Sequence, residues 1–319
     1  MAGIPARKGM DWIMNRAKGI NRLYLCMIMI ALAAPYALGL VFTDLTLYQN
    51  MALSEFIYLV PVLIYILSTR GRILDELQVN LLPVSAVLLL ILFGILLLPV
   101  VTWLNLFSML FSANRVAGSL AGLGNTSFWR NLFYVAVLPA VSEEFMFRGI
   151  FFHGFRPAGI LKGALVSGLC FGLLHMNINQ FVYAFVLGVI FALLVEAAGS
   201  VTASMIPHFI INCTSVFSIA ISSQVMDEAE LSQAAQTITN QEILQALMVY
   251  TMIALVCGTL AVCVLTWIAR CCGRREHMRQ ILHREDKKTG REGRIWTPAL
   301  VIAVIITAAY MVAGEYFLW

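Results

Sequence analysis

Nine stretches of mostly apolar residues divide the chain: 23–42, 54–69, 84–111, 131–152, 161–178, 180–198, 202–222, 244–269 and 298–318. A helix crossing a bilayer needs about 20 such residues, because the hydrocarbon core is about 30 Å thick and each residue rises about 1.5 Å. The second and fifth stretches are short; the third is long, with Pro99 placed to kink it. Backbone groups in lipid must satisfy one another, so the pattern prescribes an all-α, polytopic transmembrane bundle of about nine spans, eight at least. Composition agrees. Of 319 residues, 61% are hydrophobic and 12% charged, and a soluble domain carries about 25% charged residues. A cytosolic globule, a disordered tail and a nucleic-acid binder are excluded together. The seven cysteines (26, 170, 213, 257, 263, 271 and 272) form no CxxC pair and sit mostly in apolar runs, so neither a disulfide framework nor a cysteine zinc site is expected.

Orientation follows from the basic residues. Five lie in residues 1–22, two at Arg70 and Arg72, two at Arg156 and Lys162, and nine between Arg270 and Arg294. That puts 18 of 21 on one side, with only Arg115 and Arg130 on the other. The N-terminus is therefore expected in the cytoplasm and the first span is read as a retained helix, not a cleaved signal. The chain then divides into a basic N-terminus (1–22), three spans (23–111), a loop or surface helix with Gly118, Gly122 and Gly124 (112–130), a central membrane unit (131–222), an acidic external loop (223–243), and two spans joined by a basic loop (244–319). The basic loop is mainly a topology signal and can also meet anionic lipid headgroups.

Spans four to seven contain few ionisable residues: Glu143, Glu144, Arg148, His175, Glu196 and His208. A charge at mid-bilayer costs about 2.5–3.5 kcal/mol on insertion scales, so each needs a partner or a purpose. Glu144 and Arg148 are four apart, share a helix face and are expected to pair. Glu143 points about 100° away and has no partner on its own helix. Phe171 shares a face with His175 on one span, and His208 with Asn212 on another. Counted at about 1.5 Å per residue from the cytoplasmic ends, Glu143, His175 and His208 lie about 14, 21 and 9 Å deep. They are expected to line one cavity that opens toward the basic, cytoplasmic side.

A carboxylate, two imidazoles and an amide suffice for amide hydrolysis by water. Glu143 can take a proton from water, a histidine can share that water or protonate the leaving amine, and Asn212 with the other histidine can donate to the oxyanion. Glu143, His175 and His208 are alternatively a set for a divalent metal such as zinc.

These residues resemble the CAAX protease and bacteriocin-processing family, also called Abi, whose eukaryotic relative is the type II CAAX prenyl endopeptidase. Its pattern of EExxxR, FxxxH and HxxxN on separate helices is similar to Glu143-Glu144 with Arg148, Phe171 with His175, and His208 with Asn212. The resemblance spans roughly residues 130–215 and implies an intramembrane peptidase with a cavity facing the cytosol. By that resemblance Glu143 and His175 activate water, His208 and Asn212 stabilise the oxyanion, and Glu144 and Arg148 give support. It also implies a peptide or protein substrate, prenylated or of bacteriocin type, and a bacterial inner membrane. No HExxH occurs, no aspartate lies in a span, and Leu165 stands where a rhomboid serine motif around Ser167 needs glycine. Two other readings stay open: a non-catalytic scaffold or immunity protein, and a transporter using the buried ionisable groups as an ion path.

Overall fold

The computed structural model of the protein describes residues 6–42, 44–69, 77–114, 122–226, 230, 233, 237–282 and 294–316. Among these residues the regular structure is entirely helical. The helices are α1 (Ala6–Gly39), α2 (Leu47–Ser68), α3 (Val84–Met109), α4 (128–155), α5 (Ile160–Leu174), α6 (Ile178–Ala198), α7 (Thr202–Ser222), α8 (Asn240–Cys271), α9 (Arg275–Leu282) and α10 (Pro298–Tyr316). Arg70, Arg72, Arg115, Gly118, the stretch 227–229 and residues 283–293 of the basic loop lie outside the described residues.

Seven helices are long and apolar enough to cross a membrane: α1, α2, α3, α6, α7, α8 and α10. The other two expected spans take different forms. α5 has only 15 residues, about 22 Å of helix. α4 is a continuous coil of unlike pieces, with wide π-type turns at Leu132–Val137 and Phe145–Phe152 on either side of the ordinary segment Leu138–Glu144. Such turns are uncommon and recur at functional sites.

Local sequence explains the helix ends. Thr46 with Gln49 and Thr239 with Glu242 form reciprocal capping boxes that start α2 and α8. Asn177 caps α6, accepting from the Gln180 N–H at 3.1 Å, and Gly199 ends it in the left-handed region at φ 71°. The α5–α6 turn needs a less ordinary conformation, with Met176 at φ 50°. These two helices approach closely because glycines face each other: a Cβ on Gly188 would lie 2.6 Å from the Gly168 Cα.

The outer surface is apolar along whole helices. On α8 alone Met248, Val249, Met252, Leu255, Val256 and Leu260 are exposed, a face that suits lipid and not water. This is the exterior of an integral membrane protein.

Contacts at the helix ends sort the bundle into two poles. At one, Asn21 donates to the Ile295 carbonyl at 2.7 Å, and Asn80 to the Gly199 carbonyl at 2.6 Å. Glu196, fully buried, there meets Arg156 (2.8 Å), Arg274 (3.2 Å) and His277 (2.6 Å). At the other, Tyr48 meets Asn131 at 2.6 Å, Asn179 donates to Ser108 at 2.7 Å, and Glu315 accepts from the Ala113 N–H at 2.8 Å.

Candidate active site

The two adjacent glutamates close the ordinary segment of α4, and the π-type turn begins on the next residue. Glu144 and Arg148 pair as their spacing requires, with Oε1 to Nη1 at 2.8 Å and both side chains fully buried. The Arg148 guanidinium lies 4.4 Å from the centre of the Phe171 ring and 5.2 Å from that of Phe191. A cation this close to two aromatic rings recovers part of its lost hydration.

Glu144 has a second partner that intrahelical spacing could not reveal. His208 Nδ1 on α7 lies 2.8 Å from the same Oε1, and its Nε2 lies 3.6 Å from Glu143 Oε2. His208 therefore stands between the two glutamates.

His175 follows the last residue of α5, and its Nδ1 lies 3.0 Å from the Phe171 carbonyl oxygen. With that nitrogen engaged, Nε2 is the one left to face the cavity. Asn212 lies one turn beyond His208 on α7. Glu143, His175, His208 and Asn212 all line one cavity of about 310 Å³, together with Phe171, Tyr183 and Phe191. Glu144 and Arg148 sit behind that wall.

A further carboxylate joins them. Glu55 of α2 lines the same cavity and accepts a hydrogen bond from the hydroxyl of Ser142, the residue before Glu143. The sequence offered one signal, an acidic residue in the third turn of an apolar helix. Nothing linked it to a motif, because its partner is 87 positions away.

The lining residues from α2, α5 and α6, Phe191 excepted, lie toward Leu47, Leu174 and Ile178, the pole away from the basic loops. Glu143 on α4, Phe191 on α6, and His208 and Ile211 on α7 lie in the halves of their helices nearer the basic loops.

Among the described residues no three His, Cys, Asp or Glu side chains gather closely enough to hold a metal ion, Glu143, His175 and His208 included. One nitrogen of each imidazole is turned to another partner, Glu144 for His208 and the Phe171 carbonyl for His175. Glu143, His175 and His208, the alternative set for a divalent metal, share the cavity lining.

The segment from α4 into α7 carries every one of these residues except Glu55. Residues 125–214 match the family model Type II CAAX prenyl endopeptidase Rce1-like. This is a protease family, and the match agrees with the resemblance read from the three motifs. No curated protein and no solved structure matches the chain.

Proposed function

We propose that the protein is an intramembrane endopeptidase that hydrolyses a peptide bond in a membrane-associated or lipidated peptide. The observation that carries this reading is the convergence of Glu143, His175, His208 and Asn212, from three helices, on one cavity in an otherwise apolar bundle. In the proposed reaction Glu143 takes a proton from water as the oxygen attacks the scissile carbonyl carbon. The negative charge that develops on the carbonyl oxygen is met by donors from Asn212 and an imidazole. The C–N bond then breaks, and the amine leaves with the proton that came from water. His208, oriented by Glu144 and 3.6 Å from Glu143, is the group best supported as the carrier of that proton. His175 reaches the same cavity and shares the attacking water.

In this reading Glu144 and Arg148 hold His208 from outside the cavity. Residues 131–222 act as the catalytic membrane unit, and a bacterial inner membrane is the proposed location.

The test is turnover of a quenched peptide library by purified protein, with Glu143→Gln beside the parent. Cleavage by the parent that vanishes in the variant supports the reading. Equal signals leave a non-catalytic scaffold, whose buried charge cluster only holds helices together.

A further inference from the structure

We infer that the cavity opens on the extracytoplasmic face of the membrane and receives its substrate from that side. The substrate half of this statement rests on the peptidase reading above; the orientation half does not.

The first support is the cavity's placement. Met51, Tyr134 and Gln180 line it from the first two turns of α2, α4 and α6, all of which begin at one pole. That pole is fixed by the contacts of Tyr48 with Asn131, Ser108 with Asn179, and Ala113 with Glu315. From the opposite halves of the lining helices come only Glu143, Phe191, His208 and Ile211, all within five residues of a helix midpoint.

The second support is charge, which is independent of the cavity. Arg16, Lys18, Arg22, Arg156, Lys162, Arg270, Arg274, Arg275 and Arg279 all belong to segments of the other pole. The helix connections at the cavity pole carry only Arg115 and Arg130 among the basic residues, against Asp44, Asp227, Glu228 and Glu230. Basic residues flanking membrane spans stay in the cytoplasm, and a bias of 18 to two leaves little room for inversion. Cavity and basic loops therefore lie on opposite sides of the bilayer. A peptide segment anchored in or near the outer leaflet reaches Glu143 directly. One in the cytosol would have to pass Glu144 and Arg148, fully buried in the part of α4 that runs from Glu143 to the basic-loop pole.

The test uses single cysteines at Met51, Gln180 and Arg279 in full-length protein whose native thiols are replaced, the buried Cys170 being retained. Intact cells are treated with a membrane-impermeant maleimide before and after permeabilisation. Met51→Cys and Gln180→Cys are expected to label without permeabilisation, and Arg279→Cys only after it. The reverse pattern overturns the inference. Should the thiol-replaced protein fail to accumulate, the parent in sealed vesicles of each orientation decides the matter with an impermeant quenched peptide. Cleavage in right-side-out vesicles supports the inference, and cleavage confined to inside-out vesicles overturns it. Silence in both orientations and in detergent overturns the peptidase reading and the substrate half with it, and trypsin cleavage after Arg275 and Arg279 in inside-out but not right-side-out vesicles of the parent still settles orientation.

Discussion

Oε1 of Glu144 lies 2.8 Å from Nδ1 of His208, on a different helix and 64 positions away in sequence. The same oxygen lies 2.8 Å from Arg148 Nη1, so one carboxylate oxygen joins an intrahelical ion pair to a histidine at the cavity wall. The pairing makes the two adjacent glutamates unequal: Glu144 faces inward to two fixed partners, and Glu143 faces the cavity.

Glu143→Gln is expected to fold like the parent and to lose turnover, since shape is kept and only a 3.6 Å contact is weakened. Glu144→Gln leaves Arg148 without its counter-charge, a loss of about 3–5 kcal/mol for buried pairs. That is a large share of a typical folding free energy of about 5–15 kcal/mol, so melting temperature and yield should fall with activity. Thermal unfolding in detergent, measured beside turnover, checks both. A stable but inactive Glu144→Gln with an unstable Glu143→Gln would reverse the assignment.

Arg148→Lys keeps the charge and is still expected to destabilise. A lysine ammonium lacks the planar, weakly hydrated guanidinium that Arg148 brings to Phe171 and Phe191, and a desolvated cation–π contact contributes about 2 kcal/mol. A melting temperature equal to the parent's would show that charge alone matters at this position.

Glu55 is expected to position Ser142 and, through the chain, Glu143. A hydrogen bond contributes about 0.5–1.5 kcal/mol, so Glu55→Ala should lower kcat by up to about tenfold, with KM little changed. Glu55→Gln keeps an acceptor for Ser142 and should restore most of that loss. A rise in KM without a fall in kcat would instead make Glu55 a substrate contact.

Glu196 serves the opposite pole. Its carboxylate gathers Arg156, Arg274 and His277 and so fastens α9 to the end of α6. Glu196→Gln is expected to speed trypsin cleavage after Arg275 and Arg279 while leaving turnover per folded molecule unchanged. Unaltered cleavage rates would mean that packing of Met278 and Ile281 suffices to hold α9.

What could be read from the sequence was whatever depends on neighbours along one helix. Nine apolar runs were read as spans and seven of them are helices long enough to cross a membrane, and the four-residue step gave the Glu144–Arg148 pair. Contacts between helices were not legible, because they depend on packing angles that no local pattern records. The His208 bridge between two glutamates and the Ser142–Glu55 hydrogen bond are both of this kind. The π-type turns were missed for a related reason: Phe-Met-Phe-Arg-Gly-Ile-Phe-Phe has the same apolar content whether its turns are wide or ordinary.

The wide turns of α4 also bear on how its gene can vary. Such a turn holds one residue more than an ordinary helical turn, so the stretch Leu132–Val137 behaves like an absorbed insertion. Removing one residue there would restore regular winding without breaking the helix. The segments on either side would keep their facing, and only the residues of the turn itself would shift. Tyr134 and Val135 would leave the cavity wall, while Asn131 would stay within reach of Tyr48. A single-codon deletion at Phe133 should therefore yield a membrane-inserted, helical protein with a misshapen cavity. The same deletion midway along the regular α8 would rotate one half by about 100°, turning Ala261, Val264 and Ile268 away from α3, and should do more harm.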